Sequence, residues 1–177
     1  NGAINQTNYT INEITTNNFT INNMLEGRYN WSVTCYDTLG NQGNSSMYVL
    51  FLDDTLPNVL AISPNETTLP SGNVTLRFNV TDNLDTSLLC NVTIDNRTNN
   101  KTVYATNGTM TNVTVSNVID GPHYWNVTCY DNIYNNATSQ TLNFTTASLP
   151  VVTLNSPANG SGFNSTDIVL YYNLTSS

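Results

Sequence analysis

The chemistry this sequence offers most often is an amide two residues before a hydroxyl. Asn-x-Ser/Thr begins at Asn5, Asn8, Asn18, Asn30, Asn44, Asn65, Asn73, Asn79, Asn91, Asn96, Asn100, Asn107, Asn112, Asn126, Asn136, Asn143, Asn159, Asn164 and Asn173. That triplet is the acceptor for N-linked glycan. Asn and Thr together make up about a third of the chain, so composition alone supplies part of this load. The placement says more. The middle residue is apolar in Asn18-Phe19-Thr20, Asn30-Trp31-Ser32, Asn79-Val80-Thr81 and Asn91-Val92-Thr93. The same holds for Asn112-Val113-Thr114, Asn126-Val127-Thr128, Asn143-Phe144-Thr145 and Asn173-Leu174-Thr175. Alternate residues of a strand share a face. An inward middle residue therefore turns the Asn and the hydroxyl to solvent. The sequons at Asn5, Asn8, Asn44, Asn65, Asn107, Asn136, Asn159 and Asn164 read as loop sites. The competing reading makes the Asn/Thr rows a polar strand surface, hydrogen-bonded across strands.

Other chemistry is thin. His123 is the single histidine, at a strand start beside Tyr124, and reads as a surface or rim residue rather than a base. No Ser-His-Asp set, Gly-rich phosphate loop or zinc spacing is present. Most acids read as turn residues: Asp82, Asp85, Asp120 and Asp131. Asp37 and Asp131 are expected to accept hydrogen bonds from the backbone of their own turns. Asp53-Asp54 stands before Leu56-Pro57, where calcium could rigidify a junction through oxygen ligands. A polar linker is the preferred reading there. No cofactor is expected beyond covalent N-glycans.

The elements that position these groups are strands. Val74, Leu76, Phe78 and Val80 alternate with polar residues, as do Leu88, Cys90, Val92 and Ile94, and Trp125, Val127 and Cys129. Val59 to Ser63 reads as a first strand, Thr102 to Ala105 as a short edge strand, Val113 and Val115 as another, and Leu142 and Phe144 as the last. About seven short strands separated by turns are the pattern of a β-sandwich. No apolar period of 3.6 is sustained. Disorder is the default for a polar, Asn-rich chain, but the alternation and the Tyr and Trp content oppose it.

The pattern repeats. Tyr29-Asn30-Trp31-Ser32-Val33-Thr34-Cys35-Tyr36-Asp37 matches His123-Tyr124-Trp125-Asn126-Val127-Thr128-Cys129-Tyr130-Asp131 at a spacing of 94 residues. That spacing also relates Phe19 and Ile21 to Val113 and Val115, and Val74, Leu76, Phe78 and Val80 to Ile168, Leu170, Tyr172 and Leu174. A spacing of 93 relates Ser63-Pro64 to Ser156-Pro157. Repeats of this length are the size of one sandwich domain. Residues 1–53 match the back of a domain, with Asn1-Gly2 falling near Asp95-Asn96. Residues 56–147 match one whole domain, and 149–177 match only the first two strands of a further one. The expectation is tandem immunoglobulin-like β-sandwich domains, one complete and one split between the two chain ends, with the broken halves completed by a neighbour.

Cys90 and Cys129 share inward parity on strands that neighbour each other in such a sandwich. A disulfide in an oxidising compartment is expected, with two buried thiols as the alternative. Cys35 is the repeat-mate of Cys129. Its partner lies outside this chain, at the mate of Cys90.

The formal net charge is −8 with only four Lys and Arg, which excludes a basic face for nucleic acid. The chain is not drawn to an anionic bilayer. It has no run approaching the roughly 20 apolar residues of a membrane span.

Tyr-x-Trp-x-Val-Thr-Cys-Tyr-Asp, the turn Asp37-Thr38-Leu39-Gly40-Asn41, and Leu149-Pro150-x-Val152-x-Leu154-Asn155-Ser156-Pro157-Ala158-Asn159-Gly160-Ser161 resemble tandem immunoglobulin-like repeats of microbial cell-surface proteins, archaeal ones especially. Asp131-Asn132-Ile133-Tyr134-Asn135 departs from the turn pattern by lacking the glycine. The resemblance implies a role in stalks, surface layers, adhesins or filaments. The expected function is a structural, non-enzymatic subunit of a glycosylated extracellular filament or repeat array, a head-to-tail homopolymer. The alternative is an adhesin or carbohydrate-binding module using Tyr9, Tyr104 and Tyr134.

Overall fold

A computed structural model describes residues 6–175, with the side chains of residues 97–100 left aside. Asn1-Gly2, Asn5 and the side chain of Asn100 therefore lie outside the described residues. The chain divides into two compact units, Asn1–Asp54 and Thr55–Ser177. The first holds β1 (Gly27–Trp31), β2 (Thr34–Tyr36), β3 (Gln42–Asn44) and β4 (Tyr48–Leu52). The second holds β5 (Asn58–Ser63), β6 (Thr67–Pro70), β7 (Gly72–Thr81), β8 (Ser87–Ile94), β9 (Arg97–Thr106), β10 (Thr111–Val118), β11 (Gly121–Tyr130), β12 (Asn136–Thr138), β13 (Leu142–Ala147), β14 (Val151–Ser156) and β15 (Tyr171–Thr175). The described protein is all-β.

In the second unit, period-two alternation builds a sandwich. One sheet has the order β10-β7-β5; the other runs β6-β13-β11-β8-β9, with β12 also paired to β11. The inward residues of both sheets form one core that includes Leu76, Phe78, Leu88, Val92, Trp125, Val127 and Phe144. The chain changes sheets after Ser63-Pro64: β5 pairs antiparallel with β7, and β6 pairs parallel with β13. Trp125 ties this corner to the core, since its indole Nε1 donates to the Pro64 carbonyl at 2.9 Å. An unpartnered indole N–H here would carry a desolvation cost. Sequence reading leaves out β6 and β12. Each is only three or four residues long, too short for alternation to register.

The β8–β9 hairpin closes on a two-residue turn. Asp95 and Asn96 take φ of 51° and 58° between the paired Ile94 and Arg97. Positive φ at both central positions is the type I′ turn, whose twist matches that of the flanking strands. The register set at Ile94↔Arg97 shifts before Val92↔Lys101, and β9 extends well beyond the expected Thr102–Ala105.

The first unit has two two-stranded sheets, β1-β4 and β2-β3. They reproduce the sandwich's registers at the 94-residue spacing. Tyr29↔Leu50 and Trp31↔Tyr48 match His123↔Phe144 and Trp125↔Leu142. Thr34↔Asn44 and Cys35↔Gly43 match Thr128↔Thr138 and Cys129↔Ala137. Even the capping hydroxyl is copied: Val33 N donates to Ser45 Oγ as Val127 N does to Ser139 Oγ. One expectation fails. Phe19 and Ile21, mates of Val113 and Val115, lie in no strand and are exposed. In the sandwich β10 pairs with β7. Residues 6–54 contain no counterpart of β7, so the segment has nothing to pair with.

Candidate functional site

The surfaces that matter are the sheets left uncovered. β14 pairs with β15 in the same register as β5 with β7. Val152↔Leu174 and Leu154↔Tyr172 match Val59↔Val80 and Ala61↔Phe78, and both pairs have an irregularity one step later, before Ser156 and Ser63. The Ser–Pro peptide that follows is cis in both copies. The pairing is thus duplicated, but the packing is not. Val80 is 1% exposed and its mate Leu174 is 60% exposed. The first unit shows the same contrast: Trp125 is 1% exposed, whereas Trp31 is 52% exposed. Cys35, the mate of the fully buried Cys129, is a free, exposed thiol. Leu50, mate of the buried Phe144, is exposed. Identical patterning gives a core where two sheets face each other and a bare apolar face where only one is present. Contiguous apolar surface of this kind marks an interaction site.

The second surface bears sequons. In the sandwich, Val74, Val80, Val92, Val113, Val127 and Phe144 are buried, while Asn73, Asn112 and Asn143 beside them are exposed and Asn79, Asn91 and Asn126 are half-buried. Asn8 is half-buried; Asn18, Asn30, Asn44, Asn65, Asn96, Asn136, Asn159, Asn164 and Asn173 are exposed. The middle residues Phe19, Trp31 and Leu174 are exposed instead of inward, since no second sheet covers them. Hydroxyl ladders also exist on these faces: Thr75 with Thr114 at 3.1 Å, Thr128 with Thr138 at 2.7 Å, and Thr102 donating to Asn91 Oδ1 at 2.7 Å. These ladders leave the amide nitrogens of Asn73, Asn91 and Asn112 unengaged. Asn107 is different. Its Nδ2 donates to the carbonyls of Asp82 (2.7 Å) and Asp85 (2.6 Å), so modification there would cost both bonds.

The disulfide joins Cys90 and Cys129, directly opposite each other on β8 and β11. Asp37 and Asp131 hold equivalent turns. Asp37 Oδ1 accepts from the backbone N–H of Leu39 (2.9 Å) and Asn41 (2.8 Å). Asp131 Oδ1 accepts from Ile133 (2.9 Å) and Asn135 (2.8 Å). Donors from Asn41 side chain and backbone hold the Asp37 carboxyl below the usual carboxylate range. Where Gly40 has φ of 86°, Tyr134 adopts φ of 71° and keeps the turn without glycine.

His123 is buried, contrary to its expected rim position. Its Nδ1 lies 2.7 Å from Asp95 Oδ2, and its Nε2 lies 2.8 Å from the Ile119 carbonyl and 3.0 Å from Thr146 Oγ1. A strand-start residue with inward parity goes to the core when a partner satisfies it, and Asp95 arrives from the β8–β9 turn. Asp, His and Thr in a row look like a nucleophile relay, yet Thr146 donates its hydroxyl to Ile119 O and is buried. The adjoining cleft of about 100 Å³ is smaller than the roughly 300 Å³ of ordinary ligand sites. The geometry fits a structural clamp. Tyr9, Tyr104 and Tyr134 are exposed.

No protein-family model matches the chain, and no curated protein matches it. Among solved structures, the fibronectin(III)-like modules of Clostridium thermocellum CbhA match with 15% identity and a TM-score of 0.41, over 70% of this chain and 63% of that one. No helix among the described residues is long and apolar enough to cross a membrane.

Proposed function

We propose that this chain is a structural part of a heavily N-glycosylated extracellular filament or surface repeat array, assembled head to tail by completion of split immunoglobulin-like domains. One observation carries the reading: β14–β15 copies the β5–β7 pairing residue for residue, with its Leu174 face uncovered, while the first unit copies β11–β13 with its Trp31 face uncovered. The two bare faces are the two halves of the sandwich core at 56–147. Residues 149–175 of one copy, in the same or another polypeptide, lie over residues 1–53 of the next. The occupant is a second copy because the repeat register already supplies the complementary shape.

The reading makes particular contacts. Trp31 Nε1 donates to the Pro157 carbonyl of the neighbour, as Trp125 does to Pro64. Phe19 and Ile21 become a strand against the incoming counterpart of β7. Such a contact is heterologous and does not close, so it extends into a fibre. The disulfide suits an oxidising compartment. Glycans on the outer faces supply the solubility that a chain with four cations does not obtain from ion pairs. The role is architectural, with no catalysis.

Native material is examined by electron microscopy and denaturing electrophoresis after deglycosylation. Filaments that run at subunit size once boiled and reduced indicate donation between chains. A single very large band indicates one continuous polypeptide. Leu174→Asp, at the centre of the bare face, abolishes assembly while leaving the fold of 56–147 intact by circular dichroism. A chain that stays monomeric at every concentration, or Leu174→Asp filaments equal to wild type, overturns the reading.

A further inference from the structure

The loop after β7 and the turn after β11 meet at one end of the sandwich. Asp85 joins them: its carboxylate accepts from the backbone N–H of Asn132 at 2.7 Å and from the Asn132 side-chain amide. This brings Asp82 and Asp131 together, with carboxylate oxygens within 4.8 Å of one another. Each acid spends one oxygen on its own loop. Asp82 Oδ1 accepts from Leu84 N (3.0 Å) and Asp85 N (2.8 Å), and Asp131 Oδ1 accepts from Ile133 N and Asn135 N. The second oxygen of each, Asp82 Oδ2 and Asp131 Oδ2, is buried with no hydrogen-bond partner. Asp131 is 5% exposed.

The other copy of the turn shows how such an oxygen is otherwise satisfied. Asp37 Oδ2 accepts from its own Asn41 side chain at 2.7 Å. In the sandwich the equivalent Asn135 side chain reaches the Thr55 carbonyl at 3.5 Å, and Asp131 Oδ2 is left bare. Two buried carboxylate oxygens without donors, on neighbouring acids, are costly without a counter-charge.

We infer that Asp82 and Asp131 form a binding site for a hard divalent cation, calcium in an extracellular setting, with their Oδ2 atoms as its anionic ligands. Calcium takes carboxylate oxygens at about 2.3–2.6 Å, so oxygens on one ion are separated by up to about 5 Å. A carboxylate oxygen of each acid lies within that range of the other. The cation neutralises the pair and pins together the two loops that Asp85 already joins. Sequence reading preferred a polar linker at Asp53-Asp54 and took Asp82 and Asp131 only as turn residues; the orphaned oxygens of these two point to a ligand.

The test is thermal unfolding of the purified chain in chelator and in calcium chloride, with sodium chloride at matched ionic strength, alongside isothermal titration with calcium. Extracellular sites of this kind bind at about 0.1–1 mM. Calcium at tenfold over the dissociation constant raises Tm by about 5 °C. Asp131→Asn keeps the turn acceptor and removes the charge. In chelator it is at least as stable as wild type, because the repulsion is gone; in calcium it is less stable than wild type. Asp82→Asn behaves the same way. Wild type that shows neither a titration signal nor a Tm shift overturns the site. So does an Asp131→Asn chain equally destabilised in both buffers, which marks a purely structural acid. If the variants do not fold, the titration of wild type decides alone.

Discussion

Single residues carry the clearest tests. Tyr134 holds a left-handed backbone where its repeat-mate is Gly40, and a side chain in that region costs about 1–2 kcal/mol. Tyr134→Gly is therefore expected to raise stability by about 1 kcal/mol in chemical denaturation, less the glycine's added unfolded-state entropy. The turn survives without glycine because Asp131 anchors both of its backbone donors, which outweighs one strained φ. Sequence alone flags the missing glycine but cannot weigh those hydrogen bonds against it. Asp37 gives a pH test. Its carboxyl is lowered from 3.8 by the Asn41 side chain, then by backbone donors of the same turn. A depressed acid contributes stability that is complete above its unfolded value and is lost as pH falls through its folded one. Titration of the Asp37 carboxyl by NMR is expected to show a midpoint below the ordinary Asp value, and Asn41→Ala is expected to move it back up.

Among the elements, the strands of the sandwich were legible wherever alternation ran for five residues or more. β7, β8 and β11 follow from Val74, Leu88 and Trp125 and the residues alternating with them. The inward parity of Cys90 and Cys129 gave the pairing that the structure makes. A loop of 39 residues closed by this bond contributes roughly 4 kcal/mol in the chain-entropy model. The Cys90→Val, Cys129→Val double variant is expected to lose about 2–4 kcal/mol in guanidinium unfolding, and a smaller loss would mean that the reduced chain keeps residual structure. His123 was misplaced because its partner, Asp95, lies 28 residues away in sequence and arrives only through the β8–β9 turn. The strand expected at Phe19 and Ile21 was misplaced for the opposite reason. Its alternation is right, yet a strand needs a partner, and none is present in residues 6–54. The site at Asp82 and Asp131 was equally invisible: both residues read correctly as turn formers, and only the folded geometry shows the oxygens that the turns do not use.

At the scale of the whole molecule, identical sequence patterning yields one closed core and two uncovered faces. Covering Leu174, Tyr172 and their neighbours contributes about 2 kcal/mol for each large side chain buried, enough in sum to make an end-to-end contact persistent. In the proposed assembly the sequon-bearing faces point away from that contact, so coating and assembly would not compete. If the proposal holds, enzymatic deglycosylation is expected to leave the filaments intact while making them adhere laterally and precipitate, as light scattering would report. Disassembly on sugar removal would mean instead that the glycans lie within the joints.

The position of the Cys90–Cys129 bond has a mechanical consequence. It joins neighbouring strands of one sheet, so a pull on the chain ends passes through the crosslink and bypasses everything between. The 39 residues it spans, about 130 Å of extended polypeptide, stay slack while the rest tightens. In single-molecule stretching, an oxidised repeat would yield in a short step and a reduced one in a step longer by that amount. A fibre made of such links would give a little under load and then stop.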